Sequence, residues 1–329
     1  MGQHAAPNSI AGLSVGSTGL GLLSFTRPWA RSEYIDAAVV MKAALDQGAN
    51  FWNGGLHYGT AEANSLHLLK YYFDTYPEDA SKVVLSIKGA FDRTTYQPDC
   101  SPEAIRASVE EAVGILDGVK KIDIFECARV DPTVPIEISI QALAELVKEG
   151  KIGAIGVSEA NANTIRRAHA VHPIAAVEIE LSLFTPDPLT NGVVDTCHEL
   201  GIAIVAYGPV ARGWLTGELT KLENLPANDM RRRLPRFQPE VFDQNYKLAE
   251  AVEAVAKRKG VTVAQVAIAW VRSHGTIPIP GSIRAERVIE NCKEVSLSKG
   301  DLEELQTIMD TLPIAGQRYG GQHEKLLNQ

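Results

Sequence analysis

The stretch Val193–Tyr207 reads VVDTCHELGIAIVAY and contains one complete helix-to-strand unit. Its first part, Val193–Leu200, has the apolar spacing of an amphipathic helix, and Gly201 is the type of residue at which such a helix ends. The run Ile202–Tyr207 is apolar almost throughout, which is typical of a strand buried on both faces of a parallel sheet. This unit predicts an α/β protein.

Short apolar runs that alternate with helical patterns recur along the whole chain. The runs predicted as strands are Gly19–Phe25, Ala49–Asn53, Val83–Lys88, Ile122–Cys127, Ile152–Val157, Ala175–Glu180, Ile202–Tyr207 and Thr276–Ile279. The predicted helices are Tyr34–Gln47, one that begins at Ser101 and Pro102, Ile136–Lys148, Asn163–Ala170, Val193–Leu200, Tyr246–Lys259, Val263–Ser273 and Ala285–Cys292. This alternation predicts a (β/α)8 TIM barrel rather than an open doubly wound sheet, because no GxGxxG turn joins a strand to a helix.

No shift in composition divides the chain, so we predict a single domain over residues 1–329, with an ordered core at about 10–315 and a C-terminal tail at 316–329. The segment Gly208–Asp243, rich in proline and arginine, breaks the βα rhythm after the seventh strand, and so does the part from Asp301 onward. Loops that follow barrel strands form the active-site mouth, so we expect the first of these segments to take part in function.

The composition favours a cytoplasmic globular protein. Hydrophobic residues make up 45% and charged residues 22% of the 329 residues, and the formal net charge is −8. Without a basic excess, nucleic acid and anionic membrane surfaces are not expected partners. The scattered Cys100, Cys127, Cys197 and Cys292 have no metal-ligand spacing and are typical of free thiols in a reducing compartment. We expect no bound metal, and the sequence does not define an oligomeric state.

Polar residues at the ends of the predicted strands are the candidates for chemistry. Lys88 closes the apolar run Val83–Ile87, where a lysine either points into the barrel mouth or extends to solvent. An inward lysine would lower the pKa of a nearby phenol. The candidate phenol is Tyr58, which follows Asn53 in the next loop; the alternative is an aromatic residue of the core or rim. His57 adjoins Tyr58.

Two further segments indicate a ligand with phosphate groups. After the eighth strand, Pro280–Ser282 leads into a helix whose first N–H groups are free to bind an anion, and Arg284 and Arg287 share one face of it. The alternative is a solvated helix with ordinary charges. The glycine-rich segment Ala206–Gly217 either lets a ligand approach the backbone or is a plain loop.

Together these stretches resemble the aldo-keto reductases over nearly the whole chain. The resemblance is carried by Phe51–Gly55 with Tyr58 and Gly59, the strand ending in Lys88, Ile155–Ser158, Ala206–Gly217 and Ile277–Asn291. Within that family the chain is most similar to the fungal pyridoxal reductases, in Trp52–Asn53, Phe125–Asp131, Val134–Glu137, Val157–Ala160, Pro173–Glu178 and Asp195–Cys197.

The resemblance implies a set of catalytic residues. The typical tetrad is Asp, Tyr, Lys and His, and this chain has Tyr58 and Lys88 at two of those positions but Asn53 and Ala128 at the other two. Tyr58 would donate a proton to the carbonyl oxygen of an aldehyde. Beside an uncharged Asn53, Lys88 is expected to be more electropositive toward Tyr58 and easier to deprotonate. The expected substrate pocket consists of Trp52, His57, Ala128 and Arg129.

The resemblance also implies NADPH as the cofactor. Ser158 and Glu178 would contact the carboxamide, although Glu178 stands where the family commonly has Gln and an ionised carboxylate donates no hydrogen bond. Tyr207 would stack on the nicotinamide. The remaining implied contacts are Pro209, Arg212 and Leu215 at the pyrophosphate, Ser282, Arg284 and Arg287 at the 2′-phosphate, and Glu290 and Asn291 at the adenine.

The function implied is reduction of a small-molecule aldehyde by NADPH, with pyridoxal as the first substrate hypothesis. Two alternatives stay open. One is a generalist aldehyde or aryl-ketone reductase, because the fold does not decide the substrate. The other is a cofactor-binding regulatory subunit with little turnover, which Asn53 and Ala128 suggest and the intact Tyr58 and Lys88 oppose.

Overall fold

The structure is a computed structural model that describes residues 7–27 and 31–329. A short antiparallel hairpin, β1 (Ser9–Ile10) and β2 (Leu13–Ser14), precedes the main sheet. The main sheet consists of β3 (Leu20–Gly21), β4 (Phe51–Gly55), β5 (Val84–Gly89), β6 (Ile122–Cys127), β7 (Ile152–Ser158), β8 (Ile174–Glu180), β9 (Ala203–Tyr207) and β10 (Thr276–Pro278).

The main sheet is parallel, and its eight strands are neighbours in chain order from β3 to β10. The two ends of the sheet meet, since the Gly19 N–H donates to the Pro278 carbonyl at 2.9 Å and the Gly21 N–H donates to the Pro280 carbonyl at 3.4 Å. A Cβ on Gly21 would lie 2.9 Å from the Ile279 oxygen, so this seam needs a glycine. The predicted TIM barrel is confirmed.

Helices alternate with the strands and pack around the outside of the barrel. They are α1 (Tyr34–Asp46), α2 (Ser65–Thr75), α3 (Pro102–Leu116), α4 (Ile136–Lys148), α5 (Ala162–Val171), α6 (Val193–Leu200), α7 (Pro239–Lys259), α8 (Val263–Arg272), α9 (Ala285–Cys292), α10 (Lys299–Thr311) and α11 (Gly321–Glu324). Every helix in the described ranges is too short or too polar to cross a membrane.

Most predicted elements are present within a residue or two of their predicted ends, and the exceptions have local causes. Only Leu20–Gly21 of the first predicted strand is extended, because the Phe25 N–H bonds back to the Leu22 carbonyl and closes a 3₁₀ turn. Helix α7 begins at Pro239, earlier than predicted, and α2 and α10 were not predicted. The start of α2 is fixed by Asn64, whose side chain accepts from the Leu66 N–H at 2.9 Å.

Strand alternation divides the side chains into two layers. Inward residues such as Phe51, Ile124 and Val205 form an apolar plug inside the barrel, and outward residues such as Trp52 pack under the helices. One step further along β4, Asn53 again points inward. The barrel interior therefore changes from apolar to polar toward the carboxyl ends of its strands, where the candidate site lies.

Candidate active site at the carboxyl ends of the strands

A buried lysine lies at the centre of the polar layer above the apolar plug. The Lys88 Nζ on β5 donates to the Asn53 Oδ1 at 2.8 Å, and it contacts the Glu178 Oε2 at 2.5 Å and a Glu126 oxygen at 3.4 Å. Each of these four side chains is at most 2% exposed. Position alone left a solvent-exposed lysine as the alternative for Lys88, and the structure places it inside the barrel.

Asn53 uses both ends of its amide in this cluster. Its Nδ2 donates to the Glu178 Oε2 at 2.6 Å and to the Glu126 Oε1 at 3.1 Å, while its Oδ1 accepts from Lys88. An aspartate at position 53 would supply no donor and would add a third carboxylate to one buried ammonium. The asparagine is therefore the residue that matches two neighbouring glutamates.

The expected ionisation of Lys88 is wrong. Burial lowers the pKa of a lysine, but the charges of Glu126 and Glu178 outweigh burial here and the pKa of Lys88 is raised. The missing carboxylate of position 53 is replaced by two others from β6 and β8. Glu178 thus contacts Lys88 through its Oε2, and its expected contact with a carboxamide stays a prediction.

Glu178 differs from an ordinary carboxyl in its ionisation. Burial raises its pKa to about 8, with Lys88 opposing the rise and Glu126 adding to it. With one ammonium beside two carboxyls in a dry site, the favoured state is the one in which the two glutamates share one proton. That proton titrates from the pair as a unit. The sequence signal for both residues is an acidic side chain inside an otherwise apolar strand, because such side chains are rarely buried without partners.

We expect Glu178→Gln to remove a pH dependence of stability. A carboxyl with a raised pKa in the folded state stabilises the fold below its unfolded pKa of about 4.3, and this contribution is lost as the pH rises through the folded pKa. Wild-type protein should therefore lose free energy of unfolding between about pH 5 and pH 8 relative to the variant. Urea unfolding at both pH values measures this, with the exposed Glu250→Gln as the control. Parallel pH profiles for the wild type and Glu178→Gln would contradict the assignment.

Tyr58 lies beside this cluster in the loop after β4. The Lys88 Nζ is 5.7 Å from the centre of its ring, and the side chain is half-buried at the mouth. Burial raises the pKa of Tyr58, and the charge of Lys88 opposes that rise. The phenol is thus neutral and next to a cation that stabilises its anion, which is the state that a proton donor needs.

The other expected pocket residues divide between the mouth and the core. His57 stacks edge-on against Tyr58 at 4.6 Å, and burial together with Lys88 and Arg129 lowers its pKa to about 3, so it is neutral. Ala128 is buried directly after β6, and Arg129 follows it, half-buried. The expected pocket position of Trp52 is corrected.

Trp52 faces outward from β4 and packs between the barrel and helix α2. Its ring lies against Tyr72 and Phe73 at centroid distances of 4.9 and 5.9 Å, and its Nε1 donates to the Ala49 carbonyl at 2.8 Å. The cause is the two-residue period of a strand, because the neighbour of an inward Asn53 must point outward. Trp52 therefore belongs to the core.

The opposite side of the mouth carries residues that fit a nicotinamide amide. The buried Ser158 Oγ, at the end of β7, has no hydrogen-bond partner among the described residues. A buried hydroxyl without a partner is uncommon, and an amide would satisfy it. Tyr207 ends β9 and donates to the Glu159 carboxylate at 2.8 Å, so its ring is fixed beside Ser158 and its neighbour.

The C-terminal tail covers this side of the mouth, an arrangement that no motif predicted. Arg318 is only 8% exposed and donates to Glu159 at 2.8 Å, to Glu180 at 3.1 Å and to the Tyr207 hydroxyl at 2.9 Å. Tyr319 lies under the Arg212 guanidinium, 4.3 Å from ring centre to cation. The tail thus joins the ends of β7, β8 and β9.

A group of arginines fits a pyrophosphate. Burial lowers the pKa of Arg27, and the nearby charges of Arg231 and Arg212 lower it further while Asp229 opposes them. Arg231 pairs with Asp229 at 2.7 Å and Arg212 with Glu180 at 3.2 Å. Arg231 also donates to the Arg212 carbonyl at 2.9 Å. Arg27 and Arg231 were not predicted, since only the fold brings them together. Pro209 and Leu215, in the segment Ala206–Gly217, are buried, and Leu215 packs in the core.

The predicted 2′-phosphate residues converge on one carboxylate. Arg284 and Arg287 each donate to the Glu218 Oε1 at 2.7 Å, and Ser282 accepts from the Arg284 N–H at 3.2 Å. Two guanidiniums that hold one anionic oxygen form a place where a phosphate could substitute for the glutamate. The predicted adenine residues lie close by: Glu290 accepts from Arg287 at 3.0 Å, and Asn291 is buried.

A barrel with a lysine–tyrosine pair at its mouth and a basic rim suited to a dinucleotide defines a class of cofactor-dependent barrel oxidoreductases. The chain belongs to the aldo/keto reductase family, whose model matches residues 18–310. The family prediction from the sequence is confirmed.

Individual relatives agree with this assignment. The chain is 41% identical, over 97% of its length and 99% of the relative, to a Schizosaccharomyces pombe protein named probable pyridoxal reductase 2. It is 38% identical to probable aldo-keto reductase 1 of Glycine max, over 94% of this chain and 89% of that protein. A solved glycerol dehydrogenase from Gluconobacter oxydans superposes with a TM-score of 0.82 over 94% of this chain and 96% of its own, at 23% identity, a likeness of fold alone.

Proposed function

We propose that this protein is an NADPH-dependent reductase that converts pyridoxal to pyridoxine. The observation that carries the proposal is the neutral Tyr58 beside a Lys88 that the buried pair of Glu126 and Glu178 keeps charged. The choice of substrate is supported by the 41% identity to the Schizosaccharomyces pombe relative and its printed name. The four free cysteines favour a reducing compartment, and we place the enzyme in the cytoplasm.

The residues of the cluster then have distinct tasks. When bound, the reduced nicotinamide supplies a hydride to the carbonyl carbon. Tyr58 donates its proton to the carbonyl oxygen, and Lys88 stabilises the phenolate that remains. Glu126 and Glu178 keep Lys88 charged, while Asn53 holds the three ionisable groups at fixed distances.

The cofactor would be held by side chains on the opposite half of the mouth. Ser158 would bond the carboxamide, and Tyr207 would lie against the nicotinamide ring. Arg212, together with Arg27 and Arg231, would bind the pyrophosphate. The 2′-phosphate would replace Glu218 between Arg284 and Arg287.

An aldehyde panel tests the proposal. Purified protein is mixed with NADPH, and consumption of the reduced cofactor is followed with pyridoxal, benzaldehyde and an aryl ketone. The proposal expects turnover of pyridoxal with formation of pyridoxine. Turnover of the other carbonyl compounds without pyridoxal would support a generalist reductase, and binding of NADPH without any turnover would support a regulatory subunit.

We expect Arg287→Ala to weaken NADPH binding far more than NADH binding. A charge-assisted hydrogen bond to a phosphate makes the loss for NADPH roughly 10- to 100-fold in Kd. Fluorescence titration with both cofactors measures the difference, and Arg258→Ala, an exposed arginine paired with Glu304, serves as the control. An equal loss for NADPH and NADH would show that Arg287 does not bind the 2′-phosphate.

A further inference from the structure

Arg129 occupies the space between the two halves of the mouth. It follows Ala128 at the end of β6, and its charge acts on the pKa of Tyr58, of His57 and of Tyr207. Strand β6 pairs with β5, which carries Lys88, on one side and with β7, which ends at Ser158, on the other. Arg129, at the end of β6, therefore borders the space between the two halves of the mouth, where we expect a substrate carbonyl to lie. It is therefore placed to contact the substrate.

Arg129 differs from Lys88 and Arg318 in having no carboxylate within ion-pair distance among the described residues. Lys88 pairs with Glu178, and Arg318 pairs with Glu159 and Glu180. For Arg129, no carboxylate lies within ion-pair distance in the ranges 7–27 and 31–329. Toward the residues that the structure describes, the guanidinium donates one hydrogen bond, from Nη1 to the Ala128 carbonyl at 2.5 Å.

An unpaired guanidinium in a partly dry site is costly, and the cost is offset when a ligand brings an anion. The cofactor does not need this residue for its phosphates, because Arg212, Arg284 and Arg287 already face that part of the mouth. Glu159, the carboxylate whose charge acts on Arg129, already pairs with Arg318, so the substrate is the remaining source of an anion for Arg129.

We propose that Arg129 binds an anionic oxygen of the substrate, and that the enzyme selects aldehydes with an ionisable hydroxyl adjacent to the carbonyl group. This inference deepens the proposed function and rests on it. Pyridoxal has this pattern, since its ring hydroxyl neighbours the aldehyde carbon and ionises to a phenolate. The guanidinium donates N–H groups to that oxygen, and the carbonyl beside it is fixed against Tyr58.

A pair of substrates that differ only in that hydroxyl provides the test. The value of kcat/KM is measured for 2-hydroxybenzaldehyde and 2-methoxybenzaldehyde, with wild type and with Arg129→Met. We expect the variant to lose roughly 10- to 100-fold in kcat/KM for the hydroxy compound and to change little for the methoxy compound. For each aldehyde, dividing the kcat/KM of the wild type by that of the variant removes the intrinsic reactivity of the aldehyde from the comparison. An equal loss for both substrates would overturn the inference.

Arg93→Met is the matched control. Arg93 also lies near the mouth and donates to the Leu56 carbonyl at 2.9 Å, but it is paired with Glu111 at 2.5 Å. Its removal should leave the preference for the hydroxy compound unchanged. A preference lost equally in Arg93→Met would assign the effect to the general charge of the mouth and overturn the role of Arg129.

Ligand binding to the wild-type protein keeps the inference testable if Arg129→Met does not fold. 2-Nitrophenol, at a mildly alkaline pH where its hydroxyl is ionised, and its uncharged methyl ether 2-nitroanisole are titrated against the protein with cofactor present, and the nitrophenolate should bind at least about tenfold more tightly. Equal affinities would contradict the anion site. Absence of turnover for both aldehydes, together with preferred binding of 2-nitrophenolate, would instead refute the proposed reductase function and leave the anion site standing.

Discussion

Replacing Tyr58 by phenylalanine is expected to lower kcat for aldehyde reduction by at least about 10²-fold, the usual scale for loss of a positioned general acid. The phenol is neutral and lies beside Lys88, so the variant removes the hydroxyl that we propose as the proton donor. The cofactor contacts lie on the other half of the mouth, so the Kd for NADPH should stay nearly unchanged. Steady-state kinetics and fluorescence titration separate the two effects.

Tyr246→Phe, on the outer helix α7, is the control for loss of a phenol hydroxyl elsewhere in the chain, and it should retain normal kcat. Near-normal turnover in Tyr58→Phe would remove Tyr58 from the proposed mechanism. A large fall in both kcat and NADPH affinity would indicate a structural effect of the substitution.

Replacing Lys88 by methionine is expected to have the largest effect on stability. Removing one partner from a buried ionic cluster leaves the remaining charges uncompensated and costs about 3–5 kcal/mol. In this variant Glu126 and Glu178 would face each other, bridged only by Asn53. The loss in free energy of unfolding should be smaller at acid pH, where the two glutamates are protonated.

Urea unfolding compares Lys88→Met with Lys151→Met, a surface lysine paired with Glu110, for which a change of at most about 1 kcal/mol is expected. Adding Glu178→Gln to Lys88→Met should restore part of the stability, because it removes one of the two unpaired carboxylates. A loss of less than about 1 kcal/mol in Lys88→Met would contradict the description of a buried, charged cluster.

Local chemistry explains why most of the fold was predictable. Helix α3 begins as the sequence indicates, with the Ser101 hydroxyl accepting from the Ala104 N–H at 3.3 Å and Pro102 at the first helical position. Helix α6 ends at Gly201 in a left-handed conformation. Helix α2 was not predicted, because its stretch Ser65–Thr75 is rich in aromatic residues that also favour strands.

From the sequence, only the site residues at or just after strand ends can be predicted. Tyr58 and Lys88 follow from strand positions and the family resemblance. The partners of Lys88 do not, because Asn53, Glu126 and Glu178 come from β4, β6 and β8 and meet only after the barrel closes. Asn53 is suited to this site only because both glutamates are present to accept hydrogen bonds from its amide.

The C-terminal tail shows a second limit of sequence reasoning. Arg318 pairs with Glu159 and Glu180, which lie 159 and 138 residues earlier in the chain, and no local pattern distinguishes it from a surface arginine. Its partners become visible only when the ends of β7 and β8 are neighbours. Long-range ion pairs of this kind depend on topology, whereas helix ends depend on a few adjacent residues.

The central claim is that the enzyme transfers a hydride from NADPH to the aldehyde carbon of pyridoxal. Transfer of deuterium tests it most directly: NADPH with deuterium at both positions of C4 is incubated with enzyme and pyridoxal, and the product is analysed by mass spectrometry. We predict pyridoxine with one deuterium, on the hydroxymethyl carbon that was the aldehyde. Pyridoxine without deuterium, or no pyridoxine while NADPH remains unconsumed, would contradict the claim.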